Sequence, residues 1–412
     1  MSAENLESKR WWIAVAAVIM QLCLGTVYAW SVFKKPCILS FECAETTIQV
    51  TFMICIGMIG LSAAFGGALV DKKGPRFVAT IGGLLFGIGT LLSGLAEQTK
   101  SIPLLYLGFG FIGGLGNGFG YVTPIATLIR WFPDKRGLVT GLAVMGFGAG
   151  AFFMGKIAPQ MIIDMGVANT FYIWGVIFLI LVTGAAQFYK NPPKGWLPAG
   201  FTPSAAKGVS AAESFTFAEA KKTPQWWMLW GMLFLNVSAG IGLLSQLSPM
   251  AQDVLKKTIS DPAALALAGG SILAYASIFN GLGRLFWAWT SDSIGRKNVF
   301  IIMFITQAIL YIVLPRIGGE FLFTLIACYL LACYGGGFAT MPAFVADSFG
   351  PTYIGRVYGI MLTAWGVAGV VGPFVFAEVK GIALYVAAVF LIVGLILAIF
   401  YKRPQPKAAK PA

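Results

Sequence analysis

The sequence contains no histidine, and only 11% of its 412 residues are charged. The absence of imidazole excludes histidine-based catalytic triads, histidine–zinc sites and histidine proton relays. The scarcity of charge accompanies a hydrophobic content of 58% and a mean hydropathy of +0.81. This composition is far too apolar for a soluble domain and is typical of a helical protein with many membrane spans. The apolar runs of about 20 residues do not fit a β-barrel, whose strands alternate over about 10 residues.

Patterns of metal ligands are also lacking. The six cysteines have no spacing typical of a metal site, so we expect neither a metal nor a cofactor. Cys37 and Cys43 share the loop after the first apolar run, and they could form a disulfide if that loop faced an oxidising compartment. The N-terminal residues have no small-residue cleavage site before a short apolar core, so we expect no cleaved signal peptide.

Twelve apolar segments predict an all-α membrane protein built from two pseudo-symmetric six-helix bundles. We interpret 1–190 as the N-terminal bundle, 191–224 as a cytoplasmic linker and 225–412 as the C-terminal bundle. A short amphipathic helix is expected near the end of the linker, around 215–222. The expected segments are 11–33, 47–70, 77–95, 102–129, 138–162, 170–189, 225–247, 263–291, 299–314, 321–345, 355–376 and 382–400.

The distribution of the 29 lysines and arginines predicts the orientation. An even number of spans puts both termini on one side, and cytoplasmic termini would place about twenty cations on the inner side against about eight in the outer loops. The net charge of +13 is therefore explained by membrane topology and does not indicate nucleic-acid binding. We expect a multi-pass protein of the cell (inner) membrane that contacts the lipid bilayer and functions as a monomer.

Arg284 lies within an apolar segment, eight residues before Asp292. At about 1.5 Å per residue it is about 12 Å from the polar end of its helix, near the middle of an apolar layer about 30 Å thick. Burial there costs at least about 2.5 kcal/mol, which indicates a functional site. Because the apolar segments offer no carboxylate as a partner, we expect Arg284 to be the only ionised group deep in the membrane. Lys34 is placed in the loop after the first segment.

The two halves share landmarks that indicate a duplicated six-helix unit. The motif at Asp71, Gly74 and Arg76 after segment 2 is matched after segment 8 by Asp292, Gly295 and Arg296, with 221 residues between the aspartates. A Gly-rich stretch ends at Pro124 in segment 4, and a similar stretch ends at Pro342 in segment 10. Duplicated halves with a substrate site near the midplane are the plan of many secondary transporters.

These motifs resemble the major facilitator superfamily. The resemblance implies a twelve-helix fold and an intracellular gate. The gate residues would be Asp71 and Arg76 in the first half and Asp292 and Arg296 in the second, and the two aspartates would help to hold the outward-open state.

A closer resemblance is to the oxalate/formate antiporter group and the related monocarboxylate transporters, and it covers nearly the whole chain. It is carried by four stretches, 130–137, 191–196, 223–227 and 281–287. The resemblance implies that Arg284 binds the substrate carboxylate. Two departures matter. The segment 11 lysine of oxalate exchangers is missing from 357–377, and the aspartate that precedes the arginine in animal monocarboxylate transporters is replaced by Asn280.

The charge at Arg284 favours a monocarboxylate. One buried cation is best neutralised by one monovalent anion, and a guanidinium fork can hold a carboxylate through two hydrogen bonds. Candidate residues beside it include hydrogen-bonding groups and an apolar wall. They are Asn117, Tyr121, Tyr334, Tyr28, Asn280, Leu362 and Trp365.

The sequence leaves several functions open. We favour proton symport of a small acid such as lactate or pyruvate by alternating access, with the proton entering with the acid or passed by a peripheral group. The alternatives are an organic-anion exchanger of the oxalate/formate type and a major facilitator exporter of other solutes. An intramembrane enzyme is disfavoured because no paired acids, metal site or activated nucleophile is placed at membrane depth. A receptor would bind the ligand without flux.

Overall fold

The computed structural model describes residues 3–132, 134, 136–193, 196–198, 214–350, 353–379 and 381–405. Across these residues the protein is helical, and eleven spans are long and apolar enough to cross a membrane. One of them, 141–186, holds 46 residues and is long enough for two passes. Its backbone breaks at Gly166, where φ is +82°, a conformation that strongly favours glycine. The twelve-helix expectation is confirmed.

The twelve helices are labelled α1 to α12 in chain order. Several consist of consecutive helical pieces. They are α1 (Ala3–Gly25, Thr26–Ala29 and Trp30–Phe41), α2 (Glu45–Lys73), α3 (Pro75–Gln98), α4 (Ile102–Leu105, Tyr106–Gly113 and Gly114–Trp131), α5 (Arg136–Ala149 and 151–165), α6 (167–186), α7 (Pro224–Leu255), α8 (Pro262–Ile294), α9 (Arg296–Val313), α10 (Glu320–Phe349), α11 (Ile354–Met361 and Thr363–Glu378) and α12 (Ala383–Phe400).

The first helix is longer than the sequence predicted. A 3₁₀ turn at Thr26–Ala29 tightens the chain, and the helix then continues from Trp30 to Phe41. The expected loop after Phe33 is therefore wrong, because Lys34 and Cys37 lie inside the helix and are buried. The chain leaves the helix only at Glu42, which has a left-handed backbone with φ of +49°.

The two bundles meet most extensively along two pairs of helices, α2 with α11 and α5 with α8. Small residues allow these backbones to approach closely. A Cβ on Gly60 would lie 2.6 Å from the Cα atom of Gly366, and one on Gly148 would lie 2.9 Å from the Cα atom of Gly281. Contacts this close exclude larger side chains, as in other helix pairs inside membranes.

The two ends of the bundles are called the terminal face, where the described chain begins and ends, and the distal face, which holds the α1–α2 and α7–α8 connections. Near the end of the linker the expected amphipathic helix is reduced to one turn, Phe217–Ala220. Its start is stabilised by the backbone N–H of Thr216, which donates to the carboxylate of Glu219 at 2.9 Å. All six cysteines are free thiols, including Cys37 and Cys43.

Candidate functional site

Arg284 lies on α8 and faces the opposite bundle with only 2% of its surface exposed. Its Nε donates a long hydrogen bond of 3.5 Å to Oδ1 of Asn280, one turn earlier, and its guanidinium carbon lies 5.1 Å from the ring centre of Phe338. No carboxylate in the described part of the chain pairs with it, and Nη1 has no hydrogen-bond partner there. A buried guanidinium in this state favours the binding of an anion.

Three tyrosines from three helices surround this arginine. The hydroxyl groups of Tyr28 on α1 and Tyr334 on α10 are 2.8 Å apart, so they join the two bundles. Tyr28 and Tyr121 on α4 also lie beside the guanidinium, whose charge acts on both hydroxyls and on that of Tyr334. The structure therefore brings Arg284, Asn280 and the three predicted tyrosines together. Tyr358, near the start of α11, is an additional neighbour that the sequence did not single out.

An apolar wall closes the site on the side of α11. The ring of Trp365 lies 5.4 Å from Tyr121 and 5.2 Å from Phe338, measured between ring centres. Phe147 on α5 completes the wall at 4.9 Å from Tyr121. The indole N–H of Trp365 is buried and without an acceptor among the described residues. The predicted wall residue Trp365 thus lies at the site, and its N–H is one further donor.

Two glycines leave room for the arginine side chain. A Cβ on Gly148 of α5 would lie 2.9 Å from Nε of Arg284, and one on Gly335 of α10 would lie 3.0 Å from its Cγ. Both separations are shorter than a carbon or nitrogen contact allows. Glycine at these positions lets a long cation pass between the bundles without displacing either helix.

Asn117 and Leu362 lie apart from the contacts of Arg284 that the structure describes. The side-chain amide of Asn117 donates to the backbone oxygen of Leu24 at 2.8 Å, which ties α4 to α1 inside the first bundle, while its Oδ1 has no partner in the described residues. Leu362 is buried at the break in α11, where its backbone oxygen is close to Gly60. The amide nitrogen of Asn117 therefore serves to hold α4 against α1, and only its Oδ1 is left without a partner among the described residues.

The four predicted gate residues lie near the terminal face. Arg76 donates to the backbone oxygen of Gln187 at 2.7 Å, within the first bundle. Arg296 pairs with Asp292 at 2.5 Å and with Asp347 on α10 at 3.2 Å, within the second bundle. Asp71 is in the last turn of α2, and its side chain is outside the described part of the structure.

A second buried cation was missed by the sequence reading. Lys34 near the distal end of α1 is 1% exposed at its side chain and pairs with Glu45, the first residue of α2. Its ammonium also donates to Oε1 of Gln246 on α7 of the other bundle, and the Gln246 amide donates to Glu45 at 3.1 Å. The expectation that Arg284 is the only ionised group deep in the membrane stays a prediction, because Lys34 lies near the distal end of its helix, beside partly exposed Glu45. Lys34 directly follows the expected end of the first apolar segment, which suggested a loop. The helix instead continues past it.

Polar contacts between the bundles lie at the level of Arg284 and on its distal side. Besides the Lys34 cluster, Lys35 donates to Gln252 at 3.1 Å, and Lys156 on α5 donates to Ser271 on α8 at 2.9 Å. Near Arg284, Ser277 donates to the backbone oxygen of Gly148 at 2.9 Å. This structure is therefore closed by polar contacts at the distal face.

Two six-helix bundles with a buried cation between them, and no described carboxylate paired with that cation, are typical of a membrane transport protein. The family model described as Major Facilitator Superfamily matches residues 11–373 and 266–412. The chain therefore belongs to the Major Facilitator Superfamily. A bacterial homologue of the human lysosomal transporter Spinster, solved in an inward-facing and unoccupied conformation, has the same fold, with a TM-score of 0.69, 15% identity and coverage of 95% of this chain and 96% of that one.

Curated relatives confirm the resemblance to the oxalate/formate antiporter and monocarboxylate transporter group. The oxalate:formate antiporter of Oxalobacter formigenes is 28% identical, over 89% of this chain and 84% of that protein. Apicoplast pyruvate carrier 1 of Toxoplasma gondii is 25% identical, over 86% and 81%. Monocarboxylate transporter 14 of Mus musculus is 29% identical over 42% of this chain and 33% of its own length. These relatives indicate a transporter rather than an enzyme.

Proposed function

We propose that the protein is a secondary active transporter of small monocarboxylates of the lactate or pyruvate type, coupled to protons and working by alternating access. The observation that carries this proposal is Arg284, which is 2% exposed and has no carboxylate partner among the described residues. A substrate carboxylate would supply the missing negative charge and accept hydrogen bonds from the guanidinium.

The surroundings of Arg284 favour a small acid with one charge. The donors beside it are neutral hydroxyl and indole groups, and the remaining surface is aromatic. Lys34, a further buried cation, lies near the distal end of α1, six residues or about 9 Å along the helix from Tyr28. Lys34 is also neutralised by Glu45. The charge of the central site therefore supports a monocarboxylate.

Alternating access would use the two bundles as moving units. The distal contacts, which include the Lys34 cluster, would break when the distal side opens, while the bundles pivot along the glycine-lined pairs α2–α11 and α5–α8. The terminal face, with the gate at Arg76, Asp292 and Arg296, would be cytoplasmic in a cell (inner) membrane. A monomer would suffice, because the site lies within one chain.

Exchange of organic anions is the second candidate. It is favoured by one observation, namely that no described carboxylate contacts Arg284, so the central site has no evident proton acceptor. The names of two relatives, an oxalate:formate antiporter and a pyruvate carrier, are compatible with both candidates.

The test is uptake of radiolabelled L-lactate into proteoliposomes, with and without an inward proton gradient. Arg284→Gln is the test variant, and Arg316→Gln, which changes an exposed arginine at the distal end of α9, is the matched control. Symport predicts uptake that rises with the gradient, disappears in Arg284→Gln and persists in Arg316→Gln. Uptake that ignores the gradient but requires internal lactate or formate would indicate an exchanger. Absence of lactate flux in folded wild-type protein would show that the substrate is another solute.

A further inference from the structure

We propose that Lys156, Ser271 and Tyr275 form a binding site for the phosphate group of an anionic phospholipid at the distal edge of the membrane. Lys156 lies on α5 of the first bundle, and the two hydroxyl residues lie on α8 of the second. The site is separate from Arg284, and it does not depend on which solute the protein transports.

The Lys156 ammonium crosses from one bundle to the other. It donates to Oγ of Ser271 at 2.9 Å and to the hydroxyl of Tyr275 at 3.2 Å, and it lies 4.4 Å from the centre of the Tyr275 ring. These partners are neutral, and no carboxylate in the described part of the chain pairs with this ammonium. Asp164, the acidic residue of α5, instead accepts from Gln160 at 2.8 Å. The charge of Lys156 is therefore left without a counter-charge among the described residues.

Lys156 lies near the distal boundary of the apolar layer. Gly148, earlier on the same helix, is level with Arg284, since a Cβ at Gly148 would lie 2.9 Å from Nε of the arginine. Lys156 follows Gly148 by eight residues, or about 12 Å toward the distal face. Half of an apolar layer about 30 Å thick is about 15 Å. With Arg284 near the midplane, a long lysine side chain at this depth meets the headgroup region of the distal leaflet.

The site opens toward lipid. The two helices touch at Gly155 and Gly270, where a Cβ on Gly155 would lie 2.8 Å from the backbone oxygen of Gly270. This contact closes the seam on the inner side, so the neighbouring Lys156 side chain lies at its outer edge. Tyr275 is 46% exposed, and Phe153, one turn before Lys156, is exposed as well. On a membrane-spanning surface, exposed aromatic side chains of this kind contact acyl chains and headgroups.

Three hydrogen-bond donors at this site are free for a phosphate. An ammonium has three N–H groups, and Lys156 uses two of them. Ser271 and Tyr275 accept in these bonds, so each keeps its own O–H for donation. A phosphodiester has one negative charge and several acceptor oxygens, so it supplies the missing counter-charge and accepts from all three donors. Basic sites between membrane helices bind anionic headgroups in this way.

A lipid at this position would link the two bundles. The full set of donors exists only while α5 and α8 stay in contact at this level. When the distal side opens in alternating access, Lys156 moves away from Ser271 and Tyr275, and the phosphate keeps only part of its partners. A bound lipid therefore favours the distally closed structure, because a ligand shifts an equilibrium toward the state that it binds more tightly.

The first experiment measures lipid binding by native mass spectrometry of the full chain in detergent, titrated with phosphatidylglycerol. For the wild-type protein we expect one copy that binds more tightly than the rest. Lys156→Gln should weaken the binding of this copy about tenfold, because a charged hydrogen bond is lost. Tyr275→Phe should weaken it about fivefold, through the loss of one neutral hydrogen bond. Phosphatidylcholine, whose headgroup is neutral overall, should show no tightly bound copy.

Two variants and one soluble anion serve as controls. Lys257→Gln removes the same charge from an exposed residue of the α7–α8 connection, so its affinity for phosphatidylglycerol should stay at the wild-type value. Lys156→Arg conserves the charge, so it should keep the tightly bound copy and show that the fold tolerates a change at this position. Inorganic phosphate should not displace the lipid, because it has no acyl chains to contact the apolar edge of the site.

The second experiment tests whether the lipid holds the bundles together. Lys35 on α1 and Asp253 on α7 pair at 3.7 Å across the distal face, so spin labels at Lys35→Cys and Asp253→Cys report its closure. Cys43→Ser removes the half-buried native thiol. Phosphatidylglycerol should raise the fraction of short label distances relative to phosphatidylcholine. The addition of Lys156→Gln should abolish this shift.

Four results would overturn the inference. Unchanged binding of the tight copy in Lys156→Gln would show that this lysine does not hold the lipid, and equal weakening in Lys257→Gln would reduce the effect to net charge. Displacement by inorganic phosphate would assign the site to a soluble anion. A distance shift that persists in Lys156→Gln would show that the lipid acts elsewhere. None of these measurements uses transport, so their failure is distinguishable from failure of the proposed function.

Discussion

The hydroxyl groups of Tyr28 and Tyr334 meet at 2.8 Å across the boundary between the two bundles, directly beside Arg284. The two residues are 306 positions apart in the sequence. Their hydrogen bond couples the closed arrangement of the bundles to the candidate substrate site, because a ligand at Arg284 would compete for the same hydroxyls. Under the proposed alternating-access mechanism, the contact belongs both to the site and to the conformational change.

The tyrosine pair can be tested through stability. Tyr28→Phe and Tyr334→Phe each remove the same hydrogen bond, so each should lower the free energy of unfolding by about 1 kcal/mol. The double variant should be scarcely less stable than either single variant, since the second change has no bond left to remove. The measurement is thermal unfolding in detergent, with Tyr353→Phe, at an exposed position near the terminal face, as the control. Full additivity of the two effects would show that the hydroxyls act separately.

The α2–α11 crossing predicts a steric block of transport. Alanine at Gly60 would place its Cβ 2.6 Å from the Cα atom of Gly366, and neither backbone can yield without a shift of its helix. Overpacking of this kind costs about 1–3 kcal/mol. We expect at least about a fivefold lower transport rate for Gly60→Ala. Gly184→Ala, where a Cβ would meet nothing within 4 Å, should transport normally. A normal rate in Gly60→Ala would show that the bundles do not need this close approach.

Labelling of Cys43 can test the orientation of the protein in the membrane and the raised pKa of the Cys43 thiol. It is half-buried between α1 and α2, while the other five cysteines are buried. Burial raises the pKa of the Cys43 thiol above its ordinary value. Because the thiolate is the reactive form, labelling by a membrane-impermeant maleimide should be slow near neutral pH and should accelerate as the pH rises toward the raised pKa.

Labelling of Cys43 should occur from outside intact cells if the terminal face is cytoplasmic. Cys43→Ser is the control and should abolish the signal. Labelling that appears only after permeabilisation would reverse the expected orientation. A rate that is independent of pH would contradict the raised thiol pKa.

A buried amide pair in the second bundle predicts a stability effect away from the site. The Gln307 amide on α9 donates to Oδ1 of Asn236 on α7 at 3.0 Å, and both residues are fully buried. Asn236→Ala removes the acceptor, so we expect a loss of about 1–3 kcal/mol of unfolding free energy. The double change to leucine should recover part of this loss, because no unpaired amide remains. The measurement is thermal unfolding, with exposed Asn298→Ala as the control, and a loss in the control as large as that in Asn236→Ala would refute the explanation.

The sequence by itself determined the membrane architecture and singled out Arg284 as a candidate site residue. Runs of apolar residues have the length of a bilayer, and their local chemistry is enough to predict a helix, because in lipid the backbone can satisfy its hydrogen bonds only in this way. A cation in the middle of such a run costs free energy to bury, whichever way its side chain points. The repeated motifs likewise identified the family before any contact was known.

Only the tertiary structure decided what surrounds each polar residue. Lys34 follows an apolar run and could equally have met water, but its partner Gln246 is 212 positions away. Asn117 was equally a candidate for substrate binding and for packing, and its side-chain amide N–H donates to the backbone oxygen of Leu24. The physical reason is that helix formation depends on neighbours in sequence, whereas the pairing of a buried polar group depends on which distant helix packs against it.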